Sequence, residues 1–378
     1  MAKVKDIAMQ IRGVSYHPED LHDNLDEDSV VLLRANNIKD GKLILDDVVY
    51  VSKSKVAEQQ YLQTGDILIC ASSGSKELVG KAAYIDSVDT PMTFGAFCKV
   101  VRPQSEYSEY LGHYFESPFY RNRISELSAG ANINNIKNEN IDNLEVRLVT
   151  EEKQNSIVEI LNQLNCLIFL RKQQLAKLDE LIKARFVEMF GDEQAFNKEP
   201  LSQNVEEMFI GPFGSSLKNE SFVSKENGYC MVYEQKHAIR KTMDVETRYI
   251  DKPKYEELKR FSIHGGDIIV SCRGTIGETY IVPLNAPLGI MHPSIMKIRV
   301  KDSIYNRVFF DFLLQEKLKQ HEAQANGSGV KMAVTASALG KEEFIVPSIP
   351  FQNQFAAFVE RVDQQKQTVQ QLSLIHIS

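Results

Sequence analysis

Gly65-Asp66-Ile67-Leu68-Ile69-Cys70-Ala71-Ser72-Ser73-Gly74 in the first half of the chain has a counterpart in the second, Gly266-Asp267-Ile268-Ile269-Val270-Ser271-Cys272-Arg273-Gly274. Each stretch reads as a tight turn, a short buried strand and a polar loop with Ser or Arg beside Gly. A further strand-like run follows each, Ala82-Ala83-Tyr84-Ile85 and Thr279-Tyr280-Ile281-Val282. Downstream, the alternating Leu144-Glu145-Val146-Arg147-Leu148 leads into Glu151-Glu152-Lys153-Gln154-Asn155. In the same way Phe344-Ile345-Val346-Pro347 leads to Pro350-Phe351-Gln352-Asn353-Gln354. Both pairs share a displacement of roughly two hundred residues, so the chain is a tandem duplication with strongly diverged halves.

Each copy runs into a helix. Ile157, Leu161, Leu164, Ile168, Leu175, Leu178 and Ile182 alternate in steps of four and three, with Arg171 the only break. A stripe sustained this long points to a coiled-coil seam. Glu151 and Glu152 suit a helix N-terminus, and Phe190-Gly191-Asp192 suits its end. In the second copy Phe355, Val359, Val362 and Val369 hold the same register, with Lys366 the odd member. The expected fold class is therefore α+β, with two mixed α/β domains joined by long helices. The expected boundaries are 1–147 for the first domain, 148–192 for a helical spacer, 193–347 for the second domain and 348–378 for a second helical spacer. Strands are expected at 30–33, 43–45 and 67–70, and helices at 105–127 and 304–323.

The composition bounds the function. The 378 residues are 43% hydrophobic and 25% charged, an ordinary globular balance. No apolar run is long enough for a membrane span, and the N-terminus has no stretch of signal-peptide type. The five cysteines are scattered without a C-x-x-C pair, which favours a reducing cytoplasm over a disulfide framework or a zinc site. A net charge of −7 weighs against nucleic-acid binding for the chain as a whole and leaves the decision to local charge. Catalytic patterns are missing. Gly74-Ser75-Lys76-Glu77-Leu78-Val79-Gly80-Lys81 resembles a phosphate loop but has one residue too many between its glycines, and Ala82 stands where Ser or Thr must hold magnesium. The eight histidines form no H-E-x-x-H and none sits near Cys at ligand spacing. No methyltransferase Asn-Pro-Pro-aromatic motif and no G-x-S-x-G elbow occur. Cys70 and Cys272 lie in apolar strands and read as core residues. No catalytic residue, metal ligand or cofactor is expected.

Set in order on the duplicated frame, several stretches carry a resemblance. In the first half they are Ile11-Arg12-Gly13-Val14-Ser15-Tyr16, Leu32-Leu33-Arg34-Ala35-Asn36-Asn37-Ile38, Ala71 to Lys76 and Ala131-Asn132-Ile133-Asn134-Asn135-Ile136. In the second half they are Gly211-Pro212-Phe213-Gly214-Ser215-Ser216-Leu217, Tyr233-Glu234-Gln235-Lys236-His237-Ala238 and Ser271 to Gly277. Together they resemble the specificity (S) subunits of type I restriction–modification enzymes over almost the whole length. The resemblance implies two target recognition domains, each reading one half of a split DNA site, and two helices packed as an antiparallel coiled coil. It also implies modification (methyltransferase) subunits and a restriction (ATP-dependent translocase and nuclease) subunit as partners that carry the chemistry. One departure concerns the second helix: Ser373-Leu374-Ile375-His376-Ile377-Ser378 loses the heptad and all charge, and reads as a truncated or non-native end.

Base reading needs donors and acceptors on loops. Arg12, Tyr16, Arg34, Asn36 and Asn37 flank expected strands, although Asn36 and Asn37 fit a simple turn equally well. Ser72, Ser73, Ser75 and Lys76 are candidates to grip phosphates, with Arg273 and Thr275 in the matching loop. Asn132 and Asn134 match Ser328 and Lys331 in place, and Ser215, Ser216, Gln235, Lys236 and His237 complete the candidates; for His237 a capped or surface histidine is the competing reading. Two other functions fit the same pattern: the recognition portion of a fused restriction–methylation enzyme, and a coiled-coil scaffold that binds no DNA.

Overall fold

A strand whose side chains are all apolar needs cover on both faces. The strand Ile67–Cys70 is buried at all four positions and has that cover. Ile67 and Ile69 pack with Leu111, Phe115, Tyr120 and Ile124 of the helices Ser108–Glu116 and Pro118–Ser128. Leu68 and Cys70 point the other way and meet Leu33, Met92 and Phe94 of a second sheet. The structure, a computed structural model, describes residues 1–75, 77–128, 135–273, 275–328 and 335–375. The chain divides into two compact units, residues 1–169 and residues 170 onward.

In the first unit the inner sheet runs Ala8–Arg12, Cys98–Pro103, Ile67–Cys70, Ala82–Tyr84, antiparallel throughout. The outer sheet runs Met92–Phe94, Ser29–Leu33, Val49–Ser52, Leu21–His22, parallel only at its first pair. Ala2–Lys3 pairs with Glu145–Val146 and closes the unit. The second unit repeats this plan. Its inner sheet runs Val205–Ile210, Ile295–Val300, Ile268–Ser271, Thr279–Ile281, again antiparallel. Its outer sheet keeps the same trio, Gly289–Met291 parallel to Cys230–Tyr233 and Tyr249–Ile250 antiparallel to it. Only the fourth strand differs: Ser262–Ile263 adds beside Gly289–Met291, at the opposite edge. Lys198–Pro200 and Glu343–Ile345 form the closing pair.

The repeated Gly-Asp pair has a physical cause. Gly65 and Gly266 sit at φ +93° and +88°, a left-handed turn that favours glycine. Asp66 and Asp267 are 1% and 0% exposed. Each carboxylate accepts a turn N–H, from Gln63 and from His264, at 2.8 Å. Each also receives the fork of an arginine on the central strand: Arg102 at 2.7 and 2.8 Å, and Arg299 at 2.7 and 2.9 Å. Such bidentate, charge-assisted bonds are the strong ones. Gln154 and Gln352 are likewise matched: both are buried, and each donates to the carbonyl five residues earlier, of Val149 and of Pro347.

Three expectations need correction. The helix over 105–127 is broken at Ser117, whose ψ of 149° is extended. Pro118 disfavours the helical conformation for the residue before it. The second copy lacks that proline and forms one helix, Arg307–Ser328. The strand over 43–45 shrinks to Lys42–Leu43, and Leu45 points to solvent. The heptad stripe of the 40-residue helix Glu151–Phe190 is not sealed along its length: Ile157 and Ile168 are 37% and 39% exposed, with Leu161 and Leu164 half-buried.

Within the second unit the end of that helix runs antiparallel to Ile349–Ile375. Asp179 meets Lys366 at 2.6 Å, the rings of Phe186 and Phe355 are 5.5 Å apart, and those of Phe190 and Phe351 are 5.1 Å apart. Leu178, Ile182, Phe355, Val359 and Val362 join the core built on Ile268, Val270 and Phe309, and Leu175 is half-buried. Lys366, the odd member of its stripe, therefore has a partner. Burial works against its charge, but Asp179 and Asp363 more than offset this and hold its pKa above the ordinary lysine value.

Candidate nucleic-acid interface

Four segments leave the two sheets of the first unit at the same end. Val14-Ser15-Tyr16 follows the strand Ala8–Arg12, and Arg34 follows Ser29–Leu33. Ser72 and Ser73 follow Ile67–Cys70, and Gly95-Ala96-Phe97 follows Met92–Phe94. They enclose an open cleft of about 930 Å³, lined by Tyr16, Arg34, Asn36, Ser72, Ser73 and Phe97 among others. Gly13 allows the crossing beside it, because a Cβ there would lie 2.2 Å from the Gly95 carbonyl oxygen. Gly211 does the same in the second unit, where a Cβ would lie 2.3 Å from the His292 carbonyl.

Backbone hydrogen bonds register the two units residue by residue. Gly95 N–H donates to Leu33, and His292 N–H to Tyr233, both at 2.9 Å. Ala71 N–H donates to Phe97, and Cys272 N–H to Ser294, both at 2.9 Å. In this register Glu234 replaces Arg34, Lys236 replaces Asn36, Arg273 replaces Ser72, His292 replaces Gly95 and Ser294 replaces Phe97. The frame is kept while the lining changes.

The chemistry of the two linings follows. Arg34 Nη2 donates to both oxygens of Asp47 at 3.2 Å, and Asn36 Nδ2 donates to Asp47 at 2.7 Å. Phe97 stands 72% exposed beside them, an apolar face open to a ligand. In the second unit Glu234 is held between Arg248 and Lys236, the latter at 2.8 Å. Burial raises the Glu234 pKa, but the two cations more than offset this and the carboxyl ends below its usual range. The Arg248 guanidinium lies over the Phe222 ring at 4.0 Å. His292 bonds Ser294 at 2.7 Å. Arg273 and Thr275 are exposed.

Of the candidates, Tyr16, Arg34, Asn36, Ser72 and Ser73 come together in the first cleft. Ser75 is exposed on the same turn, whereas Arg12 is exposed at the end of its strand and does not line the cleft. Asn37 is a correction. It is buried, accepts from Arg34 N–H at 2.8 Å and donates to the carbonyls of Ile44 and Asp47, so its polar atoms serve the turn. His237 occupies the same place in the second unit, buried, with Nδ1 receiving Glu234 N–H at 3.0 Å. Gln235 and Lys236 are half-buried, Ser215 and Ser216 lie on the turn Gly214–Ser216, and Ser328 ends the helix Arg307–Ser328. Lys76, Asn132, Asn134 and Lys331 lie outside the described residues. Sequence reasoning missed Phe97 in the cleft lining, Asp47 as the partner of Arg34 and Asn36, and Glu234, Arg248 and His292 in the matched cluster of the second unit. Asp47 and Arg248 arrive from the segments just before the neighbouring strands Val49–Ser52 and Tyr249–Ile250, and no local pattern marks them.

Among the described residues no group of three or more His, Cys, Asp or Glu is placed to hold a metal ion, and no helix is long and apolar enough to cross a membrane. Burial pushes the Cys98 thiol up to about 12 and the Cys272 thiol up to about 11, away from the thiolate that reactive cysteines need.

The buried imidazoles carry a pH signature. Burial holds His237 and His292 below the ordinary histidine range. As pH falls through about 6.5, the unfolded chain takes up protons that the folded unit refuses, so the second unit loses stability toward pH 5. The first unit has Asn37 and Gly95 at these places. Its His113 is shifted up, chiefly by the hydrogen bond to Glu116, and so contributes stability that is full at low pH and lost as pH rises through its folded value. Hydrogen exchange resolved by unit at pH 7.5 and 5.5 should show faster opening of the second unit alone; equal change in both contradicts this assignment.

The duplicated frame is matched in the comparisons, where one family model fits each half of the chain. The family described as "Type I restriction modification DNA specificity domain" matches residues 13–180 and 210–374, and the chain belongs to it. The chain is 40% identical over 183 residues to the type I restriction enzyme StySPI specificity subunit of Salmonella potsdam, covering 48% of this chain and 39% of that protein. It is 39% identical over 184 residues to the EcoKI specificity subunit of Escherichia coli (strain K12), with the same coverage of 48% and 39%. The chain thus spans well under half the length of these curated relatives. In fold it is similar to a chain solved in work on complex assembly and conformational transition of the type I R-M system, with a TM-score of 0.57 at 15% identity over 99% of this chain and 92% of that one. It is also similar to a type I restriction–modification S subunit from M. genitalium, with a TM-score of 0.50 at 14% identity over 98% and 91%.

Proposed function

We propose that this chain is the DNA-reading subunit of a type I restriction–modification complex. The regions 1–147 and 193–347 each read one half of a bipartite site in double-stranded DNA. The chain recruits the modification and restriction subunits and performs no catalysis itself, acting in the cytoplasm. The observation that carries the reading is the cleft in which Tyr16, Arg34, Asn36, Ser72 and Ser73 converge, placed where the second copy gathers Lys236, Arg248 and Arg273. Such a set supplies base-edge donors and phosphate contacts together. The local cations answer the acidic net charge of −7, since only the charge at the binding face matters. The test is methylome sequencing of a host with and without this gene, together with a salt-dependent DNA shift of the full chain. A split methylated motif that appears only with the gene is the expected result. Its absence, with no DNA shift even at low salt, returns the chain to a scaffold that binds no DNA.

Within this reading, Arg34→Ala and Arg273→Ala should each weaken binding to the specific site more than to random DNA. A lost bidentate base contact is worth about 1–3 kcal/mol of discrimination. Competition with random duplex measures it. Equal weakening on all sequences makes that arginine a phosphate contact.

A further inference from the structure

The two linings hold one ionic cluster with its charges rearranged. Arg34 and Glu234 each follow the same strand and cap the next turn alike, their N–H groups donating to Asn37 Oδ1 at 2.8 Å and to His237 Nδ1 at 3.0 Å. Asp47 and Arg248 each stand just before the strand that pairs antiparallel with it, Val49–Ser52 or Tyr249–Ile250. In the first unit one carboxylate, Asp47, holds Arg34 and Asn36. In the second, one carboxylate, Glu234, holds Lys236 and Arg248. The carboxylate has changed sides of the strand pair, and the donors have changed with it.

We propose that these are matching specificity elements. In each, the carboxylate is a positioning residue that aims its donors at base edges in the major groove, and the rearrangement is what makes the two half-sites differ. The proposal rests on the DNA-reading function above and adds the residues that set each half. The bonds to Asp47 use Nη2 of Arg34 and Nδ2 of Asn36, which leaves the amide oxygen of Asn36 as an acceptor beside the remaining guanidinium donors. That set suits an edge of mixed donors and acceptors. Lys236 and Arg248 are donors only, with Arg273 on the matched loop, and such a set suits the acceptor-rich O6 and N7 edge of guanine. Glu234 does not read: its side chain is 10% exposed and occupied by both cations. Asp47 is 74% exposed and tolerates replacement without burying an unpaired group.

The experiment selects the full-length chain on a randomised duplex library and sequences the bound fraction. Wild type should enrich a split motif. Asp47→Asn should lower the preference at one or two base positions of one half-site by roughly 5- to 100-fold. Glu234→Gln should do so in the other half-site. Neither should change the salt dependence, because no phosphate-binding cation is removed. The exchanged pair R34E/D47R should change which base is preferred in the first variant's half-site and leave the other half intact, which also reports that the chain is folded. Unchanged preferences in Asp47→Asn, or uniform weakening on all sequences, overturn the proposal while the DNA-reading function stands. A wild type that enriches no sequence overturns both.

Discussion

Asp66→Ala and Asp267→Ala should each cost their own unit about 3–5 kcal/mol, the range for removing one partner of a buried ion pair. Against a typical domain stability of about 5–15 kcal/mol this is enough to leave a marginal unit largely unfolded. The reason lies in what each change strands. Both carboxylates are essentially inaccessible, and each satisfies a turn N–H and an arginine fork at once. Without Asp66, Arg102 keeps a hydrogen bond to the Tyr61 carbonyl at 2.8 Å. Without Asp267, Arg299 keeps an ion pair with Glu207 at 3.2 Å. Neither remaining contact replaces the fork. Replacing both partners, as in D66A/R102M, should recover part of the loss, because no buried charge is then left unpaired. Chemical denaturation with a readout for each unit measures this. A loss below about 1 kcal/mol, the net worth of an ordinary hydrogen bond, refutes the buried pair as the anchor of the motif.

The same motif shows why part of the fold was legible in the sequence. Four apolar residues after Gly-Asp are too short for a buried helix and too apolar for a half-exposed strand, and Ile67–Cys70 is the sandwiched strand they require. Pro118 was equally visible, yet the helical stripe through Leu111, Phe115 and Ile124 masked the break it imposes, because the two short helices keep one apolar face toward the same core. The heptad shows in the sequence as a pattern but not in its buried extent, since periodicity marks a face that can be buried without saying what covers it. In the cleft, Arg34 and Asn36 were legible as polar residues at a strand end. Asn37, their neighbour, was not separable from them, because its burial depends on carbonyls of Ile44 and Asp47 that strand pairing brings near. Asp47 and Arg248 depend on register in the same way, and register is a property of the sheet rather than of any local run.

Exchanging the second unit for that of another family member should replace one half-site completely and leave the other unchanged. Each mismatched base pair typically costs about 1–3 kcal/mol, roughly additively, so losing several read positions should lower enrichment of the old half-site by more than about a thousandfold. Where the exchange is cut decides whether the chimera folds. A graft of 193–347 alone separates Phe309 and Phe312 from Phe186, Phe190 and Phe355, whose rings pack within 4.7–6.3 Å of one another. Those aromatics tie the sheets of the second unit to the end of the helix Glu151–Phe190 and the start of Ile349–Ile375. A mismatched graft leaves cavities or overpacking there, and losing one such ring alone costs about 3–5 kcal/mol. A graft from residue 170 onward carries the whole cluster and should fold as the donor does. Both grafts should read the donor's half-site if they fold, with the longer one the more stable. Selection on randomised duplex DNA, run beside thermal denaturation, gives both answers. If a stably folded long graft changes both half-sites together, the two units do not read independently, and the duplicated frame is not the basis of a split site.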